Sequence, residues 1–256
     1  MELEIRDDKK KDIFTKLFKH LTSFTESINI RCKPDRFYIQ GMDSSHISLF
    51  ELILEKDWFD KFEVADKKLL GINLISFSKI LCFRDKEQNI RLKLNDDGDK
   101  LFIGLSYPDE KGINKAFQIP LLDIEEDLLG VPLVEYTADF IIETKKIRDF
   151  LEEMSTFGNA IKVKCSEEEI EFSSDGDEGF MKVKIDFDDV EEYQIDEDTE
   201  LELDYASKYI LWMLQYSDIV EMTHLFVSKK YPMQIYYSLG GNNFLRFYVA
   251  PLITDY

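Results

Sequence analysis

Apolar side chains recur at helical spacing at Ile13, Phe14, Leu17, Phe18, Leu21 and Phe24, so this stretch is expected to form an amphipathic helix with one face on a core. Its opposite face carries Lys9, Lys16, Lys19 and His20. The same spacing returns at Ile147, Phe150, Leu151, Met154 and Phe157, with Gly158 as the expected C-terminal stop and Asp149, Glu152, Glu153 and Thr156 outside. Behind each helix the pattern shortens to that of strands. SINIRCKPDRFYIQGMDSSHISLFELIL turns at Pro34-Asp35, and NAIKVKCSEEEIEFSSDGDEGFMKVKI alternates at Ile161, Val163 and Cys165, then at Ile170 and Phe172. Two shorter segments, INLISFSKILCF and LDYASKYILWML, are expected as helices and share a Ser-Lys pair, Ser78-Lys79 and Ser207-Lys208. Closing strands turn at Asp97-Gly98 in one half and at Gly240-Gly241 in the other. The order helix, strands, helix, strands thus occurs twice, displaced by about 130 residues, which predicts an α+β chain with a duplicated domain.

Between the copies lies AFQIPLLDIEEDLLGVPLVEY, where Pro120, Gly130 and Pro132 oppose any regular element. It is expected to be an extended connector crossing the surface. The boundaries that follow are 1–118 for a first domain, 119–136 for the connector and 137–256 for a second domain. One more stretch, Asp186 to Asp204, holds 11 acidic residues and no Lys or Arg, and is expected to be an irregular solvated loop and edge.

Composition narrows the function classes. Across 256 residues there are 52 Asp plus Glu against 32 Lys plus Arg, a formal net charge of −20. Taken as a single number, that charge opposes nucleic-acid binding, because a polyanion is held by Lys and Arg displacing its counterions. With 44% hydrophobic residues, including 20 Phe and 12 Tyr, the chain is too apolar to be a disordered acidic protein. No apolar h-region opens the sequence and no window has the uninterrupted apolar length of a membrane span, so an intracellular protein with no membrane partner is expected.

The motifs of common enzyme chemistry are missing: no GxGxxG after a strand, no GxxxxGK[ST], no HExxH and no GxSxG. NDDGD at Asn95 to Asp99 faintly suggests a calcium loop, but Lys93 occupies a ligand position, so a hairpin turn is the better reading. Cys32, Cys82 and Cys165 form no CxxC pair and are expected as buried free thiols, while His20, His46 and His224 are isolated. No enzyme, metal or cofactor is expected.

Four stretches together resemble the sliding clamps of the proliferating cell nuclear antigen type. GMDSSHISL at Gly41 to Leu49 resembles that family's most recognisable run, and LGINLISFSKIL at Leu70 to Leu81 resembles its second helix. LLDIEEDLLGVPLVEY at Leu121 to Tyr136 resembles the interdomain connector and FYVAPLI at Phe247 to Ile253 the C-terminal segment, all in the right order over the whole chain. The resemblance implies a DNA clamp of two similar domains, each with two helices packed on antiparallel sheets. Three such subunits would make a homotrimeric, pseudo-sixfold ring. That ring would encircle duplex DNA, tether DNA polymerase and other replication and repair proteins, be opened by an ATP-dependent clamp loader, and act in the nucleus or a viral replication compartment.

By motif, the resemblance places partner proteins carrying a glutamine and two aromatics in a pocket under the connector. The first domain would contribute Met42, His46, Ile47 and Leu49, the connector Leu129, Val131 and Pro132, and the second domain Pro232, Tyr248, Ala250, Pro251 and Ile253. DNA-facing residues would be Lys9, Lys16 and Lys19 on the first helix, Lys79 and nearby Arg84 on the second, and Lys208 on the fourth. The third helix departs from the pattern, with Asp149 and Glu152 where the family places arginines and Lys145, Lys146 and Arg148 to the side. A second departure follows Cys165, where Ser166, Glu167, Glu168 and Glu169 stand in place of a modifiable lysine, and the chain stops at Thr254-Asp255-Tyr256 without a longer acidic tail. Ring closure would pair edge strands near Lys115 to Ile119 and Gly179 to Ile185. The competing readings are a clamp-like subunit of a checkpoint ring, a viral transcription factor of the same fold, or an acidic interaction scaffold or DNA mimic acting through Asp186 to Asp204.

Overall fold

The computed structural model describes residues 1–95, 98–109 and 111–253, so the expected Asp97-Gly98 turn, part of the Asn95 to Asp99 loop and the last three residues lie outside the described chain. Two compact units are present. Unit 1 comprises Met1–Ser44, Glu51–Leu129 and Gly240–Phe244, and unit 2 comprises Ser45–Phe50, Gly130–Leu239 and Leu245–Tyr256.

In unit 1 the chain runs β1 (Glu2–Ile5), α1 (Asp8–Leu21), β2 (Ser27–Lys33), β3 (Arg36–Met42), β4 (Ser48–Glu55, of which Glu51–Glu55 belongs here), β5 (Lys61–Glu63) and β6 (Lys68–Asn73). It continues through α2 (Leu74–Cys82), β7 (Asn89–Lys93), β8 (Lys100–Ser106) and β9 (Lys115–Pro120). The strands pair in the orders β5-β1-β7-β8-β9 and β4-β3-β2-β6. Asp7 starts α1 by accepting the Lys10 N–H at 2.9 Å, and Asn73 starts α2 by accepting the Ser76 N–H at 2.8 Å. Phe14, Phe18, Phe37 and Phe77 are fully buried, with Phe18 and Phe77 ring centres 4.8 Å apart. The periodic face of α1 thus becomes the aromatic centre of the unit. Strand β1 was not among the expected elements, because a four-residue strand followed at once by Arg6-Asp7-Asp8 offers too few alternations to recognise.

Unit 2 contains β10 (Ala138–Glu143), α3 (Thr144–Met154), β11 (Ala160–Ser166), β12 (Glu169–Gly176), β13 (Gly179–Ile185), β14 (Val190–Ile195), β15 (Leu201–Ala206), α4 (Ser207–Met213), β16 (Met222–Val227), β17 (Met233–Ser238) and β18 (Phe244–Val249, counted here from Leu245). Its strand orders are β13-β12-β11-β15 and β14-β10-β16-β17-β18. Tyr216, Tyr237 and Phe247 are fully buried, with the Tyr216 and Phe247 ring centres 5.4 Å apart. Gly240 and Gly241, which belong to unit 1, both adopt positive φ, +91° and +60°, which is what the expected two-glycine turn requires.

Four expectations are corrected. Helix α3 ends at Met154, four residues before Gly158, because the Ser155 and Thr156 hydroxyls donate to the Glu152 and Glu153 carbonyls at 2.7 Å. Gly158 serves close approach instead: a Cβ there would lie 2.6 Å from the Asp175 carbonyl oxygen. Helix α4 begins at Ser207, since Leu203 to Ala206 pair with β11 as strand. The acidic run is an edge, as expected, but much of it is strand rather than irregular loop, because its apolar minority Val190, Tyr193, Ile195, Leu201 and Leu203 falls in β14 and β15, each at the end of its strand order. Cys32 and Cys165 are buried free thiols, pushed up to about 12 by loss of solvent, but Cys82 at the end of α2 is exposed.

Candidate functional site

The segment after β9 is tied to unit 1 strand by strand. The Leu122 N–H donates to the Gly71 carbonyl at 2.8 Å, an isolated antiparallel bridge on β6. A Cβ on residue 71 would lie 2.1 Å from the Leu122 oxygen, so the contact requires glycine. On β2, Asn29 Nδ2 donates to the Ile124 carbonyl at 3.0 Å and the Arg31 guanidinium to the Glu126 carbonyl at 3.1 Å. On β3, Gln40 engages both backbone groups of Leu129: Nε2 donates to the carbonyl at 2.9 Å and Oε1 accepts the N–H at 2.8 Å. Asn29 and Gln40 are only 1% and 3% exposed, although both sit opposite the core-facing Ile28, Ile30 and Ile39 along their strands. Partial desolvation also raises the Glu126 carboxyl above its ordinary value, against the pull of Arg31. Sequence reasoning missed these anchors, because a polar residue at the outward phase of a strand reads the same whether water or backbone covers it.

Of the residues the resemblance assigns to partner docking, unit 1 holds Met42 and Leu129. Met42 is half-buried two positions beyond Gln40 on the same face of β3, and Leu129 is 49% exposed beside the backbone that Gln40 holds. The others belong to unit 2. There the Ala250 N–H donates to the Ile47 carbonyl at 3.1 Å, which brings two distant segments together. His46 is exposed in a turn at φ +58°, a conformation that histidine tolerates better than most residues. Leu49, Val131, Ala250 and Pro251 are half-buried, Pro132 and Pro232 exposed, and Tyr248 is buried with the Arg246 guanidinium 5.6 Å from its ring centre. Ile253 is 92% exposed, an apolar side chain left in water.

The basic candidates fall into two kinds. Lys9, Lys19 and Lys79 are exposed, Lys16 is half-buried, and exposed Lys208 sits 4.4 Å from the Trp212 ring centre. Arg84 departs from the expectation. Its side chain is 6% exposed, pairs with Asp12 of α1 and donates to the Lys86 carbonyl at 2.6 Å, so it braces α1 against the exit of α2 and has little surface for a phosphate. Two of the three cations on α3 are occupied within the chain, and Lys145 is exposed. Lys146 pairs with Asp189 at 2.8 Å, which holds its ammonium above the usual range, and Arg148 donates to the Ser217 hydroxyl at 3.0 Å. Asp149, Glu152 and Glu153 are exposed.

Both strands assigned to ring closure lie at sheet ends, β9 in β5-β1-β7-β8-β9 and β13 in β13-β12-β11-β15. Exposed apolar side chains accompany them: Phe83, stacked 6.1 Å from Phe117, at the first, and Phe180 at the second.

Residues 2–128 match the family model described as proliferating cell nuclear antigen, N-terminal domain, and residues 130–252 match the model described as proliferating cell nuclear antigen, C-terminal domain. The chain is also similar to a proliferating cell nuclear antigen of the fungus Chaetomium thermophilum, with 25% identity over 248 residues that cover 95% of each chain.

Proposed function

Since the chain belongs to the proliferating cell nuclear antigen family of non-enzymatic sliding clamps, we propose that it is a DNA polymerase processivity factor: a homotrimeric ring that encircles duplex DNA and tethers replication and repair proteins in the nucleus. The observation that carries this reading is the consecutive match of both clamp domains, in family order, over residues 2–128 and 130–252. The two sheet-end strands β9 and β13, with exposed Phe83 and Phe180 beside them, support head-to-tail closure, and an ATP-dependent loader opens the closed ring. Lys9, Lys16, Lys19, Lys79 and Lys208 face the hole. Contacts there are weak and blind to sequence, which suits sliding, because topology rather than affinity retains a closed ring.

Partners carrying a glutamine and two aromatics dock at Leu129 and Met42 together with the Ile47, Leu49, Val131, Pro132, Pro232, Tyr248, Ala250, Pro251, Ile253 and His46 region. The anchored connector and the Ile47 to Ala250 hydrogen bond support this assignment. Ile47→Lys and Leu129→Asp are each expected to abolish binding of such a peptide in a fluorescence titration while light scattering shows an unchanged oligomer; unchanged affinity in both removes the docking assignment. For function as a whole, a loader-dependent primer extension on circular template is expected to yield long products only when the clamp is present. Equal product length without it would overturn the processivity reading.

A further inference from the structure

Gln40 reaches Leu129 through two hydrogen bonds that together imitate a rung of β-sheet, with the amide nitrogen 2.9 Å from the carbonyl and the amide oxygen 2.8 Å from the N–H. An amide can make that pair in one orientation only. Turned over, its oxygen would face the Leu129 carbonyl and its NH2 the Leu129 N–H, two repulsive contacts. Glu51 on β4 supplies the selection: its Oε1 lies 3.3 Å from Gln40 Nε2, where it accepts from an NH2 and would repel a carbonyl oxygen. That carboxylate is itself 5% exposed and accepts the Tyr38 hydroxyl at 2.6 Å, so it stays aimed at Gln40. Tyr38, Gln40 and Glu51 stand on two adjacent strands within one compact unit, on the face the connector crosses.

We infer that Gln40, oriented by Glu51 and Tyr38, is a positioning residue for partner docking: it fixes the backbone of Leu129 and thereby where the Leu129 side chain is presented. The inference rests on the docking reading above. Upstream, the connector is held by single bonds at Ile124 and Glu126, and downstream of Leu129 the next residue, Gly130, has no atom within 4 Å of where a Cβ would be. Among the described residues, Gln40 is therefore the last side-chain tie on the connector before a largely exposed stretch that includes Leu133 at 97% exposure. Without it, the exposed Leu129 side chain samples many positions, and a partner peptide must order the connector as it binds.

The test uses the full-length chain in its native oligomer and a fluorescent peptide containing a glutamine and two aromatics. Gln40→Met keeps length and removes both bonds; Tyr38→Phe frees one lone pair of Glu51; Glu51→Gln retains an acceptor for the Gln40 NH2. Gln40→Met is expected to speed hydrogen exchange at the Leu129 N–H about tenfold and weaken the peptide about five- to tenfold, the lower end of what two net hydrogen bonds supply. Melting temperature and oligomer mass are read alongside. Tyr38→Phe should move both readouts the same way by less, and Glu51→Gln should stay near the parent, a rescue that simple packing loss would not show. Unchanged exchange at Leu129 overturns the inference, as does faster exchange with unchanged peptide affinity when Leu129→Asp abolishes binding. If Leu129→Asp also leaves affinity unchanged, the docking reading has failed and the inference falls with it, whereas the exchange rate still reports whether Gln40 held the connector.

Discussion

Gly71 shows how much can hang on a missing side chain. Its carbonyl accepts the Leu122 N–H at 2.8 Å, and the absent Cβ makes room for the Leu122 oxygen. Gly71→Ala forces the connector off β6 or shifts the strand, and is expected to cost about 1–3 kcal/mol by overpacking. Thermal unfolding reads that loss, and faster hydrogen exchange at the Leu122 N–H locates it. At the same scale Phe18, Met154 and Cys165 were legible as core from periodicity alone, whereas Arg84 and Cys82 were not. A lone arginine after a helix has the same sequence context whether it meets Asp12 or solvent, and Cys82 escapes burial only because α2 ends there.

Among elements, the sheet β13-β12-β11-β15 carries a lattice of opposite charges on one face. Lys162 meets Glu202 at 2.5 Å, Lys164 meets Glu169 and Glu200 at 2.9 Å, Lys184 meets Glu169 at 2.9 Å, and Lys182 meets Glu171 at 3.0 Å. Lys184 first and Lys164 second hold the Glu169 carboxyl down to about 2 from an ordinary 4.5. A depressed carboxyl stabilises the fold above its unfolded pKa and loses that contribution as pH falls through its folded one, so the effect belongs to the window between about 4.5 and about 2. Melting temperatures measured across that window should fall less steeply in Glu169→Gln than in the parent, and the difference should shrink in high salt because the group lies at the surface. Alternation at Ile161, Val163 and Cys165 revealed the strand but not this lattice. Pairing Lys164 with Glu200 requires β15 beside β11 in a register that no local pattern encodes.

For the whole molecule, the formal charge of −20 acquires a meaning that the total alone withholds. In the proposed ring the acidic β14 and β15 stretch and the connector lie outside, and the lysines of α1, α2 and α4 line the hole. An anionic exterior then disfavours side-on adhesion of DNA and leaves encirclement as the retained state. Exposed Asp149, Glu152 and Glu153 make α3 the sector that contributes least attraction. Light scattering on a sizing column is expected to give the mass of three chains, and a short, unblocked duplex is expected to bind weakly and to lose that binding steeply with salt. A stable monomer, or tight salt-resistant binding to the open duplex, would remove the ring mechanism.

The duplicated order of helices and strands, the core faces of α1 and α3, the Gly240-Gly241 turn and the clamp-family motifs were all set by the sequence, since each depends on spacing between near neighbours or on a contiguous run of residues. Tertiary structure decided what depends on partners far along the chain: Asp12 turning Arg84 inward, β10 and β11 recruiting an acidic run into two strands, and Asn29, Arg31 and Gln40 meeting a connector about 90 residues away. The physical reason is that a polar group is placed by whichever partner replaces its water, and local sequence does not say which segment will arrive to do so.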